Sequence, residues 1–329
     1  MHGIKNGEPV ARIGVFAERE RVRPVRLQGF DGSRQDSCLP HPEKRRRRTG
    51  ITRDPGGPIR GTSGVVSVPN LDMKARLNMR CVVIDVGNTS TGVGRYENGR
   101  VSCISHINGG IRKKPELCAK AINRAAGNGV CGVVLGSVVP ATNAAWRDLV
   151  QHELNAPTLV VNASTPMQVG VDYPKPKTIG ADRLANACGG VVRYGAPLIV
   201  ADFGTALTFD IINGKGDYIG GVITPGPSLM ADYLVEKTAL LPRLKPHSVC
   251  PPIGRSTKGA MRIGMLIGYR GMVREIIAHL RRSFISMPRL CATGGYARQA
   301  LNGLDLPFTI DPTLTLFGLG CIGEKNFVA

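Results

Sequence analysis

Two short segments of the sequence carry the residue types that bind phosphate groups and metal ions. Asp85-Val86-Gly87-Asn88-Thr89 and Asp202-Phe203-Gly204-Thr205 each follow an apolar run, and their aspartates are 117 positions apart. Glycine lets the backbone approach a ligand closely. Backbone N–H groups and hydroxyls can bind phosphate oxygens, while a carboxylate can hold a cation or its water shell. Two such corners facing each other across a cleft would hold a nucleoside triphosphate and its Mg²⁺ from both sides.

Other nucleotide-binding patterns are missing from the sequence. It contains no Gly-x4-Gly-Lys-[Ser/Thr] segment, which excludes a P-loop enzyme, and no Gly-x-Gly-x-x-Gly that opens a βαβ unit, which disfavours a dinucleotide fold. One Asp-x-Gly segment alone would be explained by an ordinary glycine turn with Asx-type hydrogen bonds. A third segment, Thr293-Gly294-Gly295, lies between an apolar run and a helical pattern. It could present backbone amides to a nucleotide base or ribose.

The elements around the two Asp-x-Gly segments also repeat. Residues 81–84 and 198–201 are apolar runs that predict buried strands. Each is followed by a second strand pattern and then by an Asn-Gly pair, at 98–99 and at 213–214, which is typical of a hairpin turn. We therefore predict two similar α/β domains, 79–196 and 197–329, each opening with an antiparallel meander. Chance similarity between such short motifs is the alternative.

The net charge of the 329-residue chain is +19, from 43 Lys and Arg against 24 Asp and Glu. Residues 1–78 hold 16 of these basic residues and 8 of the acidic ones, and they include the run Lys44-Arg45-Arg46-Arg47-Arg48. This segment shows no sustained helical or strand periodicity, so it could be a basic arm for nucleic acid, a targeting peptide or an over-long gene start. We expect a disordered or mis-assigned basic extension, since Met73 and Met79 both precede the first strand pattern.

The remaining composition excludes other classes of protein. Mean hydropathy near zero with 20% charged residues excludes a wholly disordered chain. No uncharged apolar run approaches the roughly 20 residues of a membrane helix, which excludes an integral membrane protein. The nine cysteines form no Cys-x-x-Cys pair and no cluster with histidine, so we expect free, mostly buried thiols rather than a zinc site. We expect a cytoplasmic protein.

Several segments together resemble one kinase family. Asp85, Asp202 and the Thr-Gly-Gly segment resemble, in this order, the phosphate and adenosine motifs of the actin/hexokinase/Hsp70 superfamily, which has two RNase-H-like domains around an ATP cleft. A narrower resemblance, from about residue 79 to the C-terminus, is to type III pantothenate kinase. The segments that carry it are the two Asp-x-Gly segments, Gly180-Ala181-Asp182-Arg183, Ile223-Thr224-Pro225-Gly226, Ile253-Gly254-Arg255-Ser256-Thr257, Ala292-Thr293-Gly294-Gly295 and 310–319.

The resemblance implies roles for individual residues in the phosphorylation of pantothenate, the first step of coenzyme A biosynthesis. It implies that Asp182 accepts the proton of the substrate hydroxyl, although an aspartate at a helix N-terminus is often only a cap. We expect the helix N-terminus to keep Asp182 ionised and only weakly basic. The implied substrate-binding residues are Tyr173, Gly180, Ala181, Asp182, Arg183 and Thr257. Thr257 could instead be an N-cap, and Arg255-Ser256 replaces a frequent Lys-Asn of the family.

The same resemblance implies the ligands and the assembly. ATP would bind Asp85, Val86, Gly87, Asn88, Thr89, Ser90, Thr91, Gly92 and Thr205. Asp202 would be the ligand of a monovalent cation, K⁺ or NH₄⁺, while Mg²⁺ would come mainly with the nucleotide because it keeps several waters. A homodimer is also implied. The alternatives are a catalytically weak, regulator-like relative with the same fold, or a basic nucleic-acid-binding protein that only the charge supports.

Overall fold

The computed structural model of the protein describes residues 79–244 and 249–327. The predicted extension, 1–78, lies outside the described residues. Within them the chain forms eleven strands in two sheets, together with nine α-helices. None of these helices combines the length and the apolar character needed to cross a membrane. Eight cysteines lie in the described ranges; all are free thiols, and five of them are buried.

The first sheet has five strands in the order β3-β2-β1-β4-β5. β1 pairs with β2 and β2 with β3 in antiparallel fashion, whereas β1–β4 and β4–β5 are parallel. Asn98 and Gly99 form the turn between β2 and β3 with φ angles of 49° and 74°, as the Asn-Gly pair predicts. The strands are β1 (Arg80–Val86), β2 (Ser90–Glu97), β3 (Arg100–Asn108), β4 (Gly132–Ser137) and β5 (Thr158–Val160).

The second sheet repeats this arrangement and adds one edge strand. Its order is β11-β10-β7-β8-β9-β6, so that β9-β8-β7-β10-β11 matches β3-β2-β1-β4-β5 in order and in direction. The repeat inferred from the sequence is therefore a repeat of fold, and the α/β class with two related sheets is confirmed. The strands are β6 (Gly170–Val171), β7 (Leu198–Phe203), β8 (Ala206–Ile212), β9 (Asp217–Pro225), β10 (Arg289–Thr293) and β11 (Phe308–Ile310).

One part of the repeat was predicted wrongly. The turn between β8 and β9 is longer than an Asn-Gly hairpin, and its residue with positive φ is Gly216, at 87°, rather than Gly214. Asn213 Oδ1 accepts hydrogen bonds from the backbone N–H groups of Lys215 and Asp217, both at 2.9 Å. An Asx-type turn therefore replaces the expected two-residue turn, because the asparagine side chain supplies the acceptor.

Helices cover the faces of both sheets. They are α1 (Gly110–Lys113), α2 (Pro115–Ala126), α3 (Asn143–Leu154), α4 (Ala181–Tyr194), α5 (Pro227–Glu236), α6 (Thr257–Ile263), α7 (Tyr269–Arg281), α8 (Ala297–Leu301) and α9 (Leu314–Phe327). Short 3₁₀ turns span 140–142 and 176–178, and a π-type segment at 264–268 joins α6 to α7. The helical character of residues 114–126 and of residues 141–154 in the sequence predicts two helices, which correspond to α2 and α3.

The core has three parts, arranged in layers. One buried cluster fills the space between the first sheet and α2 and α3, with Trp146 and Ile122 fully buried. A second fills the space between the other sheet and α7 and α8. The third and largest contains side chains of both sheets together with those of α4 and α9, which form the middle layer. Each fully buried aliphatic side chain contributes about 1.5–3 kcal/mol, so burial on both sides fixes the middle helices firmly.

The two middle helices approach each other closely because small residues line their contact. A Cβ atom built on Gly318 of α9 would overlap the backbone carbonyl of Ala185 on α4. One built on Gly189 of α4 would lie 2.8 Å from the carbonyl oxygen of Leu314. Backbone thus packs against backbone, and α4 is held against a helix that also contacts β1, β2 and β4 of the first sheet. This packing fixes the position of the N-terminus of α4, where Asp182 lies.

Candidate active site

Asp85 and Asp202 occupy equivalent positions in the two sheets. Each is the next-to-last residue of its strand, β1 or β7, and each strand is followed by a tight corner. Gly87 N–H donates to the carbonyl of Ser90 at 3.0 Å, and Gly204 N–H donates to that of Ala206 at 3.0 Å. Similar local sequences therefore form a tight corner twice, each with one carboxylate at its base, although the hydrogen bond that closes the first corner spans one residue more.

The two corners meet at their exposed tips. The hydroxyl oxygens of Thr89 and Thr205 are 2.9 Å apart, which is a hydrogen-bond distance. These two threonines were both expected to bind ATP, and they come from segments 116 residues apart in the chain. The structure thus brings the two predicted phosphate-binding segments together. Within the first segment, Thr91 is fully buried, and its hydroxyl has no hydrogen-bond partner among the described residues.

The third carboxylate, Asp182, lies in the first turn of α4. The N-cap of the helix is Gly180, and Asp182 Oδ1 accepts a hydrogen bond from the backbone N–H of Arg183 at 2.8 Å. A side chain on Gly180 would overlap Asp182 Oδ1, so a residue other than glycine would displace this carboxylate. Asp182 is thus not the cap of the helix, and its carboxylate is free to face the neighbouring carboxylates.

Neighbouring carboxylates add to burial in raising the pKa values of Asp85 and Asp202. Burial, reinforced by the charges of Asp182 and Asp202, raises the pKa of Asp85 to about 8. Burial also raises the pKa of Asp202 to about 6, while a hydrogen bond from Asn186 lowers it and the charge of Asp182 raises it. The three side chains thus form one cluster of carboxyl groups that resist being ionised together, and a bound cation would favour their ionised forms.

Asp182 differs from the expectation for a helix N-terminus. Burial raises its pKa, and this effect exceeds the opposing effects of the Arg183 backbone N–H and guanidinium group. Desolvation of the carboxylate thus outweighs the favourable helix N-terminus that the sequence suggested. The shift makes Asp182 a stronger base than an exposed aspartate.

The donor set suits magnesium bound partly through water. Carboxylate oxygens are the protein ligands that Mg²⁺ prefers, and the Asp85, Asp182 and Asp202 cluster supplies them. No three His, Cys, Asp or Glu side chains within 79–244 and 249–327 are arranged to hold a metal ion directly.

Arg183 lies in a fixed orientation beside this cluster. Its Nε donates to Asp210 Oδ1 at 2.6 Å and its Nη2 donates to the carbonyl of Phe209 at 3.0 Å. Its guanidinium carbon lies 5.7 Å from the centre of the Tyr218 ring, and Tyr173 packs edge-on against Tyr218 at 6.1 Å. Tyr173 and Arg183, two predicted substrate residues, thus belong to one contiguous cluster.

Sequence reasoning missed the buried partner of Arg183. Asp210 is fully buried on β8, and its Oδ2 has no hydrogen-bond partner among the described residues. Although burial opposes charge, the ion pair with Asp210 raises the pKa of Arg183 above its usual value. An acidic residue in an otherwise apolar strand pattern, Thr208-Phe209-Asp210-Ile211-Ile212, was the available signal. A second missed residue, Asn186, lies four positions after Asp182 and hydrogen-bonds to Asp202.

The Thr-Gly-Gly segment lies beside the second corner. It joins β10 to α8, as predicted, and Thr293 pairs with Asp202 in the parallel register of β10 and β7. Gly294 has a φ of 89°, and a Cβ there would lie 2.5 Å from Asp202 Oδ1 and 2.6 Å from the carbonyl oxygen of Phe203. The backbone of this segment therefore packs directly on the Asp202 corner.

Thr257 is the predicted site residue that the described contacts do not connect to the others. It is exposed at the first position of α6. The N-cap alternative for Thr257 is wrong, because Ser256 caps the helix by accepting a hydrogen bond from Gly259 N–H at 3.1 Å. Ser256, which replaces a frequent asparagine of the family, thus serves as the N-cap of α6.

Known proteins resemble the chain in sequence over most of this region. The sequence model of type III pantothenate kinase matches residues 81–279. A type III pantothenate kinase of Akkermansia muciniphila is 43% identical over 193 residues, which are 59% of this chain and 78% of that protein. One from Bacillus cytotoxicus is 35% identical over 256 residues, 75% of this chain and 96% of that protein.

A ROK hexokinase from Thermus thermophilus is among the solved structures that match the chain, at 15% identity and a TM-score of 0.39, over 74% of this chain and 98% of the hexokinase. The family model matches more than half of the chain, and the chain covers most of the length of each of the two pantothenate kinases. The chain belongs to the type III pantothenate kinase family.

Proposed function

We propose that this protein transfers the terminal phosphoryl group of ATP to the hydroxyl group of pantothenate, forming 4'-phosphopantothenate in the first step of coenzyme A biosynthesis. One observation carries the proposal beyond family membership. Carboxylates from β1, α4 and β7 converge beside the point where the two Asp-x-Gly corners touch. Phosphoryl transfer depends mainly on positioning and on electrostatic stabilisation, and this arrangement provides for both.

The nucleotide phosphates bind the two corners. Residues 85–92 and Thr205 offer backbone N–H groups and hydroxyls, and the hydroxyls of Thr89 and Thr205 lie close enough to bind one phosphate group together. The unpartnered hydroxyl of Thr91 adds a polar atom on the buried side of the same segment. The Thr293-Gly294-Gly295 segment presents backbone to the rest of the nucleotide.

The cations bind the acidic side of this site. Asp85 and Asp202 would hold Mg²⁺ through water, because magnesium keeps several waters and binds few protein carboxylates directly. When bound, the cations neutralise charge on the phosphate oxygens. We assign Asp202 as the ligand of a monovalent cation, K⁺ or NH₄⁺. The raised pKa values of Asp85 and Asp202 in the ligand-free protein support both assignments.

Asp182 orients the substrate hydroxyl and accepts its proton. Its carboxylate is held through Oδ1 by the Arg183 N–H, and this fixed position and its raised pKa suit the role. If the transition state is loose, the hydroxyl needs orientation early and loses its proton late, so a modest base is sufficient. Arg183 is already held by Asp210 through Nε, and its fixed guanidinium group suits the carboxylate of pantothenate. Tyr173, Gly180, Ala181 and Thr257 complete the proposed substrate-binding set.

We assign the protein as a cytoplasmic homodimer. Large apolar side chains are exposed on β9, on α5 and in the π-type segment, and they support an interface between two copies. They are Ile223, Leu229, Tyr233 and Ile267. Closed two-fold dimers are the commonest oligomers of soluble proteins. Light scattering of the purified chain tests this assignment.

The test of the function is direct conversion of pantothenate. The purified chain is incubated with ATP, Mg²⁺, K⁺ and pantothenate, and the phosphorylated product is identified by mass spectrometry. We expect equal amounts of phosphopantothenate and ADP, with neither formed when the enzyme is omitted. ATP hydrolysis without a phosphorylated product, under varied cations, would instead favour the regulator-like alternative.

A further inference from the structure

Asn186 is a buried polar residue beside the site with no role in the reaction described above. It lies on α4 four residues after Asp182, and side chains four apart occupy the same face of a helix. Its side chain is fully buried in the middle layer of the protein. A buried amide is costly unless its hydrogen bonds are made, so the contacts of Asn186 decide what it does.

Both ends of the Asn186 side chain are occupied. Nδ2 donates to Asp202 Oδ2 at 3.1 Å, and Oδ1 accepts from the hydroxyl of Thr315 at 2.8 Å. The direction of these two hydrogen bonds follows from chemistry, because an ionised carboxylate can only accept a hydrogen bond. The amide nitrogen must face Asp202, which leaves the amide oxygen to Thr315.

The hydrogen bonds that join Thr315, Asn186 and Asp202 connect three different elements. Thr315 lies in the first turn of α9, Asn186 on α4 and Asp202 at the end of β7. The contact uses Oδ2 of Asp202, whereas Oδ1 faces Gly204 of its own corner and Gly294 of the Thr-Gly-Gly segment, whose Cβ positions would lie 3.8 and 2.5 Å away. Holding one oxygen of the carboxylate thus directs the other toward the proposed cation and phosphate site.

We propose that Asn186 is a positioning residue that fixes Asp202 relative to Asp182, and that Thr315 orients the Asn186 amide. The proposal rests on the proposed function of the site. One face of α4 carries Asp182, whose carboxylate binds the substrate hydroxyl. One turn later, the same face carries Asn186, which hydrogen-bonds to Asp202 at the phosphate and cation site. A single rigid helix thereby fixes the distance between the Asp182 carboxylate and the Asp202 carboxylate.

The test compares Asn186→Leu with a matched pair at Thr315. Asn186→Leu keeps a side chain of similar size but removes both hydrogen bonds. Thr315→Val removes only the hydroxyl, whereas Thr315→Ser keeps it. Catalysis is followed by phosphopantothenate formation, and binding of a non-hydrolysable ATP analogue with Mg²⁺ is followed by calorimetry. Melting temperatures report whether each variant is folded.

We expect Asn186→Leu to lower kcat by about 10- to 100-fold and to weaken binding of the ATP analogue, with KM for pantothenate nearly unchanged. Thr315→Val should change both quantities in the same direction by less, and Thr315→Ser should restore them. If Asn186→Leu does not fold, the Thr315 pair decides alone. Equal kcat and nucleotide affinity in Thr315→Val and Thr315→Ser would overturn the proposal. If the wild-type protein formed no phosphopantothenate, the proposed function would be rejected instead. The role of Asn186 would still be tested by calorimetry, because nucleotide binding is measured independently of turnover.

Discussion

Asp182 shows how a single residue can have its chemistry set by position. It is placed by the first turn of α4 and by the Gly180 cap, and its carboxylate faces two others. Burial makes it more basic, while the Arg183 N–H and guanidinium group limit the shift. The result is a carboxylate that can accept a hydrogen bond from a hydroxyl group and, late in the transfer, its proton.

Replacing Asp182 by Asn tests this role with little change of shape. We expect kcat to fall by about 10²- to 10⁴-fold, since the amide cannot accept the proton. Nucleotide affinity should stay close to that of the wild type, because the phosphate-binding corners are untouched. Steady-state kinetics and calorimetry with an ATP analogue measure the two quantities. Wild-type turnover in Asp182→Asn would move the base to another residue.

Gly294 permits a backbone approach that any side chain would prevent. We expect Gly294→Ala to destabilise the fold by about 1–3 kcal/mol, because its φ is 89° and a Cβ would overlap Phe203 O and Asp202 Oδ1. The activity should fall as well, since Asp202 would be displaced. The neighbouring Gly295→Ala is the control, because a Cβ there meets no heavy atom within 4 Å. Equal urea-unfolding midpoints for the two variants would contradict this account.

At the scale of elements, the site depends on how α4 sits between the sheets. The helix carries Asp182, Arg183 and Asn186, and it contacts α9 through small residues. α9 in turn packs on β1, the strand that carries Asp85. Any shift of α9 away from α4 would therefore change the relative positions of all three carboxylates.

Gly318→Ala tests the close contact of the two helices. A methyl group at Gly318 would overlap the Ala185 carbonyl, so we expect a loss of about 1–3 kcal/mol in the free energy of unfolding. We also expect a lower kcat, because α4 must move. Gly271→Ala on α7 is the matched control: nothing lies within 4 Å of its Cβ position, so helix propensity should give a gain of about 0.5–1 kcal/mol. Destabilisation by both changes would show that the α4–α9 contact has no special role.

Local sequence patterns predicted much of the fold but little of how the site is supported. The apolar runs, the Asn98-Gly99 hairpin and a helix at 114–126 follow from side-chain periodicity and turn chemistry, which act over a few residues. The turn at Asn213 was missed because its side-chain hydrogen bonds compete with the backbone pattern. The contacts of Asn186 with Thr315 and of Arg183 with Asp210 join residues far apart in the chain, so only the packed structure shows them.

At the scale of the whole molecule, the acidic cluster lies within a strongly basic chain. The net charge of +19 favours anionic ligands in general, and both ATP and pantothenate are anions. The candidate site nevertheless concentrates Asp85, Asp182 and Asp202, with Arg183 beside them. The layered core holds these carboxyl groups together, so their joint ionisation is unfavourable in the ligand-free protein, and bound cations would favour it.

The stability of the ligand-free protein should therefore depend on pH in a definite direction. The pKa of Asp85 rises from 3.8 to about 8 and that of Asp202 to about 6 on folding, so the folded state binds more protons between these values. Their stabilising effect is fully present below pH 3.8 and is lost as the pH rises through about 6 and then about 8. We expect the melting temperature of the ligand-free protein to fall between pH 5 and 8, and Mg²⁺ with an ATP analogue to oppose the fall.

Asp85→Asn separates this effect from the titration of other groups. The amide does not titrate, so the variant should lose less stability than the wild type as the pH rises from 5 to 8. Asp148→Asn is the control, because it removes the same charge from an exposed position on α3. Its melting temperature should follow the wild-type curve. The comparison uses differential scanning calorimetry without nucleotide or divalent cations, and parallel pH curves for wild type and Asp85→Asn would show that Asp85 is not protonated in the folded protein.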